Sequence, residues 1–140
     1  MMKWLCSWVF IFLLNGCSSP TRIWEGVDRS MVWTAMVAVA NSPEYKSSNP
    51  RKRWFVTQNN VVTDAQSGSI EIHRKLRRSF QLPRQREQTD FRDYFIVITL
   101  HPTHPTQTTF DLLNEQLIPV RSQDEADRFF SQVESLLSLP

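Results

Sequence analysis

Apolar residues at Val32, Ala35, Met36 and Val39 recur at helical spacing and give one face of a helix over residues 28–41, widened by Trp33, Val37 and Ala40. Asp28 or Ser30 is placed to cap its start, and Asn41-Ser42-Pro43 stops it. Beyond a polar loop the pattern shifts to strands. Trp54–Thr57 is the first, and after it Val61–Thr63 and Ile70 flank a turn at Asp64–Gly68, where Gly68 takes the left-handed conformation of a bulged hairpin. Ile70, Ile72, Leu76 and Phe80 then fall opposite Glu71, His73, Lys75, Arg77 and Ser79, which predicts a long half-buried strand. Arg74 and Arg78 interrupt its apolar side, so a bend, a bulge or an overhang past the core is expected there.

Residues 82–93 are charged and contain a proline, and read as a long hairpin loop. Tyr94–Leu100 is apolar on both faces and belongs at the centre of a sheet. His101–Thr106 is a turn, Thr108–Ile118 the last strand, and Pro119 its end. A second helix follows from the capping box Ser122-Gln123-Asp124-Glu125, with Ala126, Phe129, Phe130, Val133, Leu136 and Leu137 on one face. The fold class expected is α+β: a helix, a four-stranded antiparallel sheet and a C-terminal helix, with both helices packed on one sheet face.

The N-terminus changes the picture from fold to location. Lys3 and the apolar run Trp4–Leu14 have the layout of a secretory signal, and the run is too short to span a bilayer, which needs roughly 20 helical residues. It ends in Leu14-Asn15-Gly16-Cys17. This resembles the lipobox of bacterial lipoproteins, in which a small residue precedes the cut and the cysteine thiol takes the lipid. The resemblance implies removal of residues 1–16, lipidation of Cys17, and, with Ser18 rather than Asp next, an outer-membrane address facing the periplasm. Residues 17–27 then serve as lipidated N-terminus and short tether, and residues 28–140 as a single α+β domain. Cys6 leaves with the signal and Cys17 is consumed by lipid, so no disulfide is expected.

Charge is uneven along the chain. Residues 51–92 carry Arg51, Lys52, Arg53, Arg74, Lys75, Arg77, Arg78, Arg84, Arg86 and Arg92 against Asp64, Glu71, Glu87 and Asp90, while residues 111–140 are mainly acidic. The candidate binding residues are therefore Lys75, Arg77, Arg74 and Arg78 on one strand, with Arg51, Lys52 and Arg53 beside them. They suit an anionic lipid headgroup or an acidic envelope protein, and the competing reading is a solvated sheet edge. The near-neutral total gives no argument for nucleic acid, which is not expected as a partner.

Catalytic signals are sparse. His101 and His104 form an H-x-x-H that prolines follow, and His73 has no carboxylate paired to it by spacing. Gly26 and Gly68 cannot form a phosphate-cradling loop, and no G-x-S-x-G, S-x-x-K or H-E-x-x-H is present. No catalytic residue, cofactor or metal is expected; the alternative is a small metal-dependent or hydrolytic periplasmic enzyme. The helix around Val32–Met36 followed by Val61–Ile70 resembles small Gram-negative envelope lipoproteins, among them the helix-grip modules of a lipoprotein of the outer-membrane barrel-assembly machine. That resemblance covers residues 30–72 and implies a non-enzymatic binding or assembly domain. The basic stretch Arg74–Arg78 departs from it, replacing an ordinary alternating strand.

Overall fold

The computed structural model describes residues 19–138; the expected signal at residues 1–16, Cys17 and Ser18 lie outside the described residues. The chain runs β1 (Thr21–Trp24), α1 (Arg29–Asn41), a 3₁₀ turn (Pro50–Lys52), β2 (Phe55–Asp64), β3 (Ser69–Phe80), β4 (Gln88–His101), β5 (Thr106–Leu113) and α2 (Gln123–Leu137). All neighbouring strands are antiparallel in a five-stranded sheet of order β1-β5-β4-β3-β2. The α+β class and the central place of the Tyr94–Leu100 segment agree with the sequence pattern.

The count of four strands is corrected to five. The added strand, β1, comes from the segment expected to be a tether, and it pairs with β5 from Thr21 opposite Thr109 to Trp24 opposite Thr106. Trp24 explains why it docks: its ring is buried edge-on to Phe130, and its Nε1 donates to the buried Thr108 Oγ1 at 3.0 Å. Four residues with a single core side chain carry too little periodicity to announce a strand.

Strand alternation puts Ile70 and Ile72 of β3, Ile96, Ile98 and Leu100 of β4, and Phe110 and Leu112 of β5 on one face. Val32, Met36 and Val39 of α1 and Phe129, Phe130 and Val133 of α2 close over them in one continuous core. Fully burying each such side chain contributes about 1.5–3 kcal/mol, so this layer dominates stability. Asp28 caps α1 by accepting from the Ser30 N–H at 3.3 Å. The capping box expected at Ser122 does not form: its hydroxyl makes no capping bond, and Glu125 is directed to Tyr45 and Arg128 instead.

Further details differ, the first strand among them: β2 continues past Thr57 to Asp64. Residues 88–93 belong to β4, so β3 and β4 pair without interruption from Ser69 opposite Thr99 to Phe80 opposite Gln88. Of the bend, bulge or overhang expected in β3 at Arg74 and Arg78, β3 shows no bulge: it pairs unbroken with β4 as far as Phe80, and the register shift lies in β2, between Val56 and Gln58. The last strand stops at Leu113, because Asn114 folds the chain back by accepting from the Gln116 and Ile118 N–H groups at 3.0 Å each. At the Asp64–Gly68 turn, Gly68 has φ +69 and its carbonyl accepts from the Leu100 N–H at 2.7 Å.

Candidate functional site

The seven basic candidates do not form one surface, and β3 is the reason. Its even-numbered residues face the helices and its odd-numbered residues face away, so neighbouring arginines part company.

Arg74 lies on the helix side and is buried, which corrects its assignment to a contact surface. Its Nε donates to Asn59 Oδ1 at 2.9 Å, Nη1 to the Tyr45 hydroxyl oxygen at 3.1 Å, and Nη2 to the Ala40 carbonyl at 3.1 Å. Ala40 is in the last turn of α1, where unpaired carbonyls and the negative end of the helix dipole favour a cation. The Tyr45 hydroxyl in turn donates to Glu125 Oε2 at 3.1 Å, and Arg128 binds that same oxygen while lying over the Tyr45 ring. Burial, reinforced by the Glu125 charge, pushes the Tyr45 hydroxyl above its ordinary pKa. Arg74 is thus an internal brace between α1, β2 and β3.

Arg78 shares that side but sits further out. Asp90, directly opposite on β4, holds its Nε at 2.8 Å and Nη2 at 2.7 Å, and Nη1 reaches the Arg51 carbonyl. Its guanidinium lies 4.7 Å from the centre of the buried Trp54 ring, which Arg92 approaches at 4.3 Å. The 3₁₀ turn is tied to this stack through the Arg51 carbonyl, and Arg51, Lys52 and the following Arg53 are exposed. Arg53 is further tied by its Nε to the Ser47 carbonyl at 2.9 Å.

Lys75 and Arg77 remain on the open face. Lys75 Nζ is 3.9 Å from Asp93, which also lies 2.7 Å from His73 Nε2. Sequence spacing could not reveal the His73 carboxylate partner, because β4 supplies it from across the sheet. The His73 ring stacks on Phe95 with centroids 4.3 Å apart, so the His73–Asp93 pair ties β3 to β4. Arg77 stands between Phe55 of β2 and Phe91 of β4, its two cross-strand neighbours, and makes no hydrogen bond or ion pair among the described residues. Phe55 is 56% and Phe91 74% exposed, so both rings flank a solvated guanidinium. Further along the same face a shallow groove of about 290 Å³ runs between Val62, His73, Phe95, Val97, Leu113 and Leu117.

The arrangement offers fixed cations beside exposed aromatic and aliphatic surface, a chemistry suited to anionic groups carried on an apolar or amphipathic body. Of the two closely spaced histidines, His101 bonds to Thr109 Oγ1 through Nε2 at 3.1 Å. No group of three or more His, Cys, Asp or Glu side chains gathers in metal-binding geometry among the described residues. No protein-family description, no curated protein and no solved structure matches this chain.

Proposed function

We propose that this chain is an envelope lipoprotein, anchored through lipid at Cys17 to the outer membrane on its periplasmic side, whose α+β domain is a non-enzymatic binding or assembly module. Leu14-Asn15-Gly16-Cys17 supports the anchor, since two or more acyl chains hold a protein stably where one does not. The resemblance of residues 30–72 to small envelope lipoproteins supports the assembly role.

The observation that carries the binding role is Arg77, unpaired among the described residues and framed by exposed Phe55 and Phe91. With Lys75 on the same face it makes the outer half of the β3–β4 hairpin a contact surface for anionic headgroups or an acidic envelope partner. Labelled palmitate should enter the full-length protein and be lost in Cys17→Ser. Wild-type protein that takes up no label and separates from membranes would overturn the anchor.

A further inference from the structure

Resting on lipidation at Cys17, we infer that the partner of the open sheet face is the headgroup layer of the leaflet that holds the acyl chains. The residues just after the anchor are the first indication. The Ser19 hydroxyl donates to Asp111 Oδ1 on the open face of β5, and the adjacent Pro20 carbonyl accepts from the Phe110 N–H at 2.9 Å. Side chain and backbone therefore both fix the first described residues beside the sheet. Two peptide units separate Cys17 from Ser19, a reach of at most about 7 Å. Anchored there, the domain is kept within a short reach of the bilayer, and the side that seats on it is the one with the better membrane chemistry.

The two sides differ in what they offer a membrane. On the open face Ile23, Phe55, Val62, Phe91 and Leu117 are large apolar side chains, each more than half exposed. The outer surfaces of the helices leave Met31 and Leu136 exposed. The open face also carries Lys75 and Arg77, which suit phosphate groups. Among its carboxylates, Asp93 is paired to His73 and Lys75, and Asp111 accepts from Ser19. Two carboxylates are left without an ion-pair partner among the described residues: Glu71, in the same row of the sheet as Val62, Val97 and Asp111, and Asp64, opposite Ser69, which accepts from the Gln66 and Ser67 N–H groups of its turn. Ile23, Val62 and Leu117 thus offer apolar contact toward the anchor end, while on the hairpin, about 20 Å further along β3 from Glu71 to Arg77, cationic contact is framed by Phe55 and Phe91.

The test uses full-length acylated protein in vesicles of phosphatidylethanolamine and phosphatidylglycerol with a quencher on the lipid headgroup. Once Cys6 has left with the signal and Cys17 carries lipid, a Val62→Cys or Leu136→Cys variant has a single free thiol for a fluorophore. Both positions are exposed, so neither substitution disturbs the core. Quenching at position 62 should exceed that at position 136 by about threefold or more, as expected for a surface seated in the headgroup region. Palmitate incorporation in the same samples separates the two claims. Protein without label overturns the anchor and this seating together. Labelled protein quenched equally at both positions, or more at 136, overturns the seating alone and leaves the open face to a protein partner.

Discussion

The two faces of β3 carry similar residues to opposite ends. Arg74 and Arg77 are three positions apart on one strand, yet the first is enclosed by Asn59, Tyr45 and the end of α1, while the second projects between two exposed phenylalanines. On the covered face a charged group survives because each of its nitrogens has an acceptor. On the open face the cation is solvated and retains its capacity for an external partner. Charge in a sequence therefore marks a contact surface only after strand parity and the coverage of each face are known.

Substitution should separate the two arginines sharply. Arg74→Ala removes two buried and one partly buried hydrogen bond and leaves Asn59 Oδ1 without its donor, while the Ala40 carbonyl keeps only Asn59 Nδ2, a loss of about 3 kcal/mol in urea or thermal unfolding. Arg77→Ala should change stability by less than about 0.5 kcal/mol. Equal losses would dissolve the distinction between brace and contact residue.

The covered side should also be intolerant at Gly68. A Cβ there would stand 2.5 Å from the Leu100 carbonyl oxygen and 3.0 Å from Arg29 Nη2, in a backbone with φ +69. Gly68→Ala is expected to cost about 2 kcal/mol in the same unfolding measurements. An alanine at the exposed and sterically open Gly26, which shares φ +69, should cost less, because strain acts there without a clash.

A smaller effect comes from Tyr45. Its folded pKa is raised by burial and by Glu125 above the ordinary 10.0, so in alkali the unfolded chain loses this proton first. The folded state then holds more protons, and stability, complete below pH 10.0, should fall as pH rises from there through the raised folded value. Tyr45→Phe should flatten that alkaline slope in denaturation curves. Tyr94 is also raised, chiefly by burial, and keeps part of the slope in the variant.

Much of this architecture was legible in local pattern. The periodicity of Val32–Val39, the Asp64–Gly68 turn and the apolar centre of β4 all declare themselves within a dozen residues. Features that depend on distant partners did not. Arg74 draws its acceptors from positions 40, 45 and 59, so its strand offered only an interrupted alternation that suggested a bend, a bulge or an overhang. The start of β4 was hidden in Gln88–Asp93, a charged stretch held in register by the basic end of β3 through the Arg78–Asp90 pair. The capping box failed for the converse reason. Its motif was intact, but Glu125 has stronger company in Tyr45 and Arg128 than in its own helix start.

Strand parity within β3 and the seating of the 3₁₀ turn together divide the basic candidates, and vesicle binding tests that division most directly. Lys75 and Arg77 stand on the open face; Arg51, Lys52 and Arg53 belong to the exposed segment whose Arg51 carbonyl is held by the helix-side Arg78. Each exposed cation contributes about 1 kcal/mol near an anionic surface and is screened by salt. Full-length acylated protein should therefore lose salt-sensitive affinity of its domain for phosphatidylglycerol vesicles when Lys75 and Arg77 are both changed to Ser, by about tenfold or more at low salt, with the thermal midpoint unchanged. Changing Arg51, Lys52 and Arg53 together to Ser should leave that affinity within about twofold. Loss of affinity in the triple variant with none in the double variant would contradict the account.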